Sequence, residues 1–166
     1  MLEKKIQELT PEAFAKYGSY VQLINPVDAI CGGTGHPVAF YRDMMPVPVP
    51  GPSLPSFSVC RVEKREEIII GGEYHSYASE ANIPLDADCI LYFAVAGKGP
   101  CPAESMEVFR IPKGTLVVCR PGVWHRAPFV YDTDVVNVMV FLPERTYAND
   151  SFVDDFEDAR KIKILR

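Results

Sequence analysis

The chain has 166 residues, 48% of them hydrophobic and 23% charged, with a formal net charge of -5 at pH 7. That length suits one domain with a sizeable core, and the composition excludes a disordered chain. The negative balance argues against general binding of nucleic acid or anionic membrane, whose phosphates it repels, while leaving room for a small anionic metabolite.

The opening MLEKKIQELT lacks the apolar core of a signal peptide. The longest apolar runs, CILYFAVAG and VVNVMVFLP, fall well short of the ~20 residues of a membrane-spanning helix. A cytoplasmic location is therefore expected. Cysteines at 31, 60, 89, 101 and 119 form no C-x-x-C pair, which predicts reduced, mostly buried thiols.

The first element is a predicted helix: Thr10 suits the N-cap, Pro11 the first helical position, Glu12 the positive dipole end, and Gly18 the stop. Phe14 and Tyr17 share one face and give the helix something to pack. CGGTGHPVAF follows, glycine-rich but without the ending of a phosphate-binding loop or the spacing of a dinucleotide fingerprint. His36 within it reads as a surface residue. MMPVPVPGPSLPSF is too rich in proline for a helix or a central strand, so an ordered extended loop or lid is expected.

From residue 57 short strand-like segments recur about every ten residues, with Gly and Pro turns between them. They run from FSVCRVEK and EEIIIGG through DCILYFAVAG, MEVFRIPKG and TLVVCRPG to HRAPFVY and VVNVMVFLP. That spacing predicts a mainly β sandwich or barrel. KREE (64–67) reads as a solvated strand edge, and SFVDDFEDARKIKILR as a surface extension. The expected layout is a single domain over 1–166. It has an N-terminal helix and first strand (8–24), a proline-rich loop (43–56), a barrel core (57–143) and a C-terminal extension (144–166).

Two patches carry chemistry. GGEYHSYASEANIP places Glu73, His75, Tyr77 and Glu80 just after a strand, and PKGTLVVCRPGVWHRAP holds Arg120 and His125. The second is similar to the second motif of the cupin barrel, one residue longer between Gly114 and Pro121. The first is half of the corresponding first motif, with Tyr77 where a second histidine would stand. His75, Glu80 and His125 together suit a divalent ion with open positions for substrate, or metal-free acid and base work. The plainer alternative has both histidines at strand ends, bonded to backbone carbonyls. Trp124 reads as core or pocket wall, and Tyr92, alternating along ILYFAV, as a residue facing the barrel interior.

Taken together, LTPEAFAKYGSYV, FYRDM, SVCRVEKR, EYHSYASEANIPL and GVWHRAP resemble the ureidoglycolate lyases over most of residues 8 to 143, patchily between 25 and 57. The resemblance implies a cupin-like double-stranded β-barrel of jelly-roll type and a homodimer. It also implies cleavage of ureidoglycolate to glyoxylate and urea, with nickel as the associated metal; a divalent ion, nickel or manganese, is the expected cofactor. His75 and His125 match family histidines, and Arg61 matches an arginine suited to a substrate carboxylate. Glu80 stands where the family commonly has glutamine, Arg120 where it often has histidine, and Arg126 replaces the second histidine of a Trp-His-His run. The patches and the resemblance together nominate His75, Glu80 and His125 as catalytic groups and metal ligands, and Arg61, Arg120, Tyr92 and Trp124 as substrate-binding residues. Two other readings compete: a non-catalytic module of the same fold that binds a small anion, and a metal-dependent isomerase of a keto acid or sugar.

Overall fold

Strand alternation decides most of the architecture. A computed structural model describes residues 1–26 and 36–166; the glycines of CGGTG and Cys31 lie outside the described residues. An unforeseen strand, β1 (Leu2–Glu8), comes first, with Leu2, Lys4 and Ile6 turned inward at every second position. The helix that follows, α1 (Pro11–Phe14), is a single turn, much shorter than the sequence predicts. Thr10 caps it as expected, its Oγ1 accepting the Ala13 N–H at 3.2 Å.

Gly18 does not simply stop this helix; it opens β2 (Gly18–Gln22). A Cβ there would lie 1.8 Å from the Val118 carbonyl oxygen. The glycine is therefore required by the close approach of two strands.

Residues 43–54 carry neither helix nor strand, as the prolines dictate. The chain then enters β3 (Pro55–Glu63), β4 (Ile68–Ile69), β5 (Gly71–Tyr74), β6 (Glu80–Pro84) and β7 (Cys89–Val95). A 3-10 turn at Ala103–Ser105 leads to β8 (Glu107–Ile111), β9 (Thr115–Cys119), β10 (Val123–Trp124), β11 (Phe129–Val130) and β12 (Val135–Pro143). Last come α2 (Thr146–Asn149), β13 (Phe152–Asp155) and β14 (Ile162–Leu165).

A seven-stranded sheet runs β10-β7-β8-β1-β14-β4, with β11 also on β7, and a five-stranded sheet runs β2-β9-β6-β12-β3. β1 is parallel to both β8 and β14, and the β1–β14 pairing brings the chain's two ends into one sheet. The main core lies between the sheets and includes Phe14, Tyr17, Leu91, Phe93, Phe109 and Val138. A second core, with Ile90, Tyr92, Trp124, Phe129 and Ile162, covers the other face of β7. Both faces of β7 are thus buried, which accounts for its unbroken apolar run.

The tail is not the surface extension that its charge suggests. β13 pairs with β5, and β14 pairs with β1 and β4, burying Phe156, Ile162 and Ile164. The signal is the alternation KIKIL, in which the isoleucines turn inward and the lysines outward. Cys60, Cys89, Cys101 and Cys119 are free thiols, and His36 is exposed. Among the described residues no helix is long and apolar enough to cross a membrane.

Candidate active site

The site is built where β5 and β10 leave their sheets side by side. Glu73 and His125 form an antiparallel bridge: the Glu73 N–H donates to the His125 carbonyl at 2.6 Å, and the His125 N–H returns a bond to Glu73 at 2.8 Å. The Gly122 N–H donates to the His75 carbonyl at 2.7 Å, so the two histidine-bearing segments are locked together. From the C-terminal segment, the Asp150 carboxylate accepts the N–H groups of Ser76, Tyr77 and Ala78 at 2.7, 2.9 and 3.0 Å. That clamp fixes the turn leading from His75 to Glu80.

Each imidazole is oriented by a carbonyl. Nδ1 of His75 donates to the Asp150 carbonyl at 2.6 Å, and Nδ1 of His125 to the Val123 carbonyl at 2.8 Å. A carbonyl can only accept, so both rings carry a proton on Nδ1 and turn Nε2 inward. The two Nε2 atoms lie 3.2 and 3.1 Å from the same carboxylate oxygen, Oε2 of Glu80. Oε1 of Glu80 accepts the Asn82 side-chain N–H at 2.9 Å. His75, Glu80 and His125 are 2%, 8% and 3% exposed.

With neutral rings, three lone-pair-bearing atoms would face one another with nothing between them. Something positive must share that space, either a proton or a metal ion. Without metal, burial pulls the His125 pKa down, but Cys119 and Glu80 beside it outweigh that and hold it well above the ordinary value. Burial pushes the Glu80 carboxyl up, and His125, His75 and Asn82 more than reverse it, holding it far below the usual carboxylate range.

The donor set also fits a divalent ion. Two imidazole nitrogens and a carboxylate oxygen, all within 4.8 Å of one another, form a two-histidine, one-carboxylate face. Their separations from Glu80 match the ~3 Å expected between adjacent ligands each ~2.1 Å from a common ion. Carbonyls on the far ring nitrogens are the usual outer support of metal-binding histidines. Tyr77, at the place of a second histidine, is 75% exposed and contributes only its backbone.

Beside Glu80 lies a cavity of about 200 Å³, lined in part by Cys60, Glu73, Asn82, Arg126 and Tyr147. Arg126 brings the cationic group of this lining and is held at 2.6 Å by Asp155. Tyr147 faces the His75 ring, with centroids 6.3 Å apart. Burial, then Glu80 and Glu73, push its hydroxyl pKa up to about 12.

The structure brings His75, Glu80 and His125 together and places the four predicted substrate-binding residues elsewhere. Arg61 is exposed on the outer face of β3, paired with Glu63, because the inward positions of that strand are Cys60 and Val62. Arg120 is exposed in a groove with Pro11, Phe14 and Tyr20, at the end of β9. Tyr92 and Trp124 belong to the second core, on the opposite face of β7 and β10 from the main core. Trp124 packs edge-on against Tyr74 at 4.6 Å. Asn82, Arg126 and Tyr147 are polar cavity residues that sequence reasoning did not nominate. Asn82 was findable, two residues beyond Glu80 and so on the same strand face. Tyr147 sits in a segment with no strand or motif signal.

The family model for ureidoglycolate lyase matches residues 2–162. No curated protein matches the chain. Among solved structures, a dTDP sugar isomerase from Desulfovibrio desulfuricans aligns over 86% of this chain and 85% of its own, at 13% identity and a TM-score of 0.52. That likeness establishes the cupin jelly-roll fold. A variant of the 3,4-ketoisomerase QdtA from Thermoanaerobacterium thermosaccharolyticum aligns over 81% and 85%, at 14% identity and 0.48. RmlC from Streptococcus suis aligns over 54% of this chain and 44% of its own, at 12% identity and 0.42. By the family match over nearly its whole length, the chain belongs to the ureidoglycolate lyase family.

Proposed function

We propose that the protein is a ureidoglycolate lyase that cleaves its substrate to glyoxylate and urea. The observation that carries this reading is the convergence of His75, Glu80 and His125 beside a small cavity whose lining includes one arginine. A cavity of about 200 Å³ suits a three-carbon acid. It falls below the ~300–1,000 Å³ of pockets that enclose drug-sized ligands, which speaks against a nucleotide sugar as substrate.

Ureidoglycolate bears a hydroxyl, a carboxylate and the urea nitrogen on one carbon. Arg126 holds the carboxylate through its planar guanidinium. Glu73, on the same wall, takes the hydroxyl proton as the C–O bond becomes a carbonyl. The C–N bond breaks with its electron pair going to nitrogen, and Tyr147, protonated at neutral pH, donates the proton that completes urea. The proton on Glu73 then returns to Tyr147, leaving both groups as they began. His75, Glu80 and His125 are the residues that would hold a divalent ion, which would supply Lewis-acid polarisation of oxygen in this site.

Arg126→Ala tests the assignment. A hydrogen bond to a charged group is worth about 1.5–3 kcal/mol, so kcat/KM for ureidoglycolate should fall about 10–100-fold, chiefly through KM. Arg61→Ala and Arg120→Ala should leave steady-state kinetics unchanged. Loss of activity in either of those two, with Arg126→Ala unaffected, would move the carboxylate site out of this cavity.

A further inference from the structure

A larger cavity, of about 810 Å³, lies against the second core, with Ile68, Ile70, Tyr92 and Phe129 among its lining residues. It shares the Arg126–Ala127 segment with the smaller pocket but not Glu80. Its rim carries Arg126, which Asp155 holds through Nη1 at 2.6 Å and which serves the smaller pocket, and Lys161, paired with Asp158 at 2.7 Å.

Arg65 is different. Among the described residues its guanidinium meets no carboxylate, Glu66 on the same rim included. It lies 4.0 Å from the centre of the Phe129 ring, and its Nη2 donates to the carbonyls of Ala127 and Pro128 at 3.3 and 2.8 Å. Nε and Nη1 make no hydrogen bond among the described residues. Beside it Tyr92, only 3% exposed, has a hydroxyl that also makes none. Burial raises the Tyr92 pKa further above its ordinary value, so the hydroxyl keeps its proton and serves as a donor. A cation without an acid and a tyrosine hydroxyl without a protein partner thus line one cavity, over an apolar floor on which Ile70 is exposed.

We propose that this cavity binds a small monocarboxylate with an aromatic or branched apolar body. The carboxylate is held by Arg65 and the Tyr92 hydroxyl, and the body lies against Ile68, Ile70 and Phe129. One guanidinium without a carboxylate partner matches one carboxylate, with Nε and Nη1 still free to donate.

The test uses phenylacetate and its neutral isostere phenylacetamide, titrated calorimetrically into the full chain with and without saturating glyoxylate. Phenylacetate should bind saturably at one site whether or not glyoxylate is present, and the amide at least about 10-fold more weakly. Arg65→Gln and Tyr92→Phe, checked for unaltered thermal unfolding, should each weaken phenylacetate about 10-fold. No binding at millimolar phenylacetate, equal binding of acid and amide, or full binding by both variants would overturn the proposal. Displacement by glyoxylate would overturn it too, by placing the probe in the smaller pocket. If Tyr92→Phe is unstable, Arg65→Gln alone decides, since that side chain lies at the rim.

Discussion

Replacing His125 with asparagine should lower glyoxylate release from ureidoglycolate by at least about 10–100-fold, since even the outer-shell support of a metal ligand is worth that much. Nε2 of His125 is one of two ring nitrogens aimed at Oε2 of Glu80, at 3.1 Å. Asparagine is too short to place a donor there. The rest of the site stays in place, because the bridge to Glu73 is made by the backbone of residue 125 and His75 is held separately by Asp150. Thermal unfolding should therefore still show a folded protein, and metal content should fall with turnover. A folded variant with wild-type turnover would remove His125 from the mechanism.

The second large effect is on stability. Phe14→Ala should cost about 3–5 kcal/mol, read as a lower midpoint in denaturant unfolding. Phe14 is fully buried although its helix is a single turn, and its ring meets four others. Phe93 lies at 5.2 Å, Phe109 at 5.8 Å, Tyr17 at 5.9 Å and Tyr20 at 6.2 Å between centroids. Phe93 and Phe109 come from the seven-stranded sheet and Tyr20 from the five-stranded one, so this one side chain ties both sheets to the amino-terminal segment. An alanine there leaves a cavity that the rigid strands around it can close only in part. A shift under about 1 kcal/mol would mean that the aromatic cluster repacks and that the segment is peripheral.

Much of the barrel was legible because its strands alternate and its turns are marked by Gly and Pro. Legibility failed where alternation failed. CILYFAV is buried on both faces, so nothing in its pattern says that Phe93 looks into the main core and Tyr92 away from it. Trp124 and His125 are neighbours in sequence but not in function, since consecutive strand residues point to opposite sides. Arg61 could have been placed correctly, because its neighbours Cys60 and Val62 mark the inward register of β3. The tail was obscured by its charge: Asp150 and Tyr147 serve the site from a stretch whose composition suggests solvent. His75, Glu80 and His125 were reachable through motif resemblance. Their convergence on one oxygen depends on the β5–β10 bridge, a long-range contact that local pattern does not encode.

The most direct test of the account is glyoxylate release from ureidoglycolate by protein stripped of metal with a chelator, then reloaded with nickel or manganese, with bound metal counted by mass spectrometry. The account predicts that stripping abolishes release, and that activity returns as an equivalent of ion is bound. It also predicts that Glu80→Ala, which removes the ligand oxygen, neither binds the ion nor recovers. Full release by the stripped protein would contradict it, and would leave His75, Glu80 and His125 as a proton-sharing cluster with no metal role.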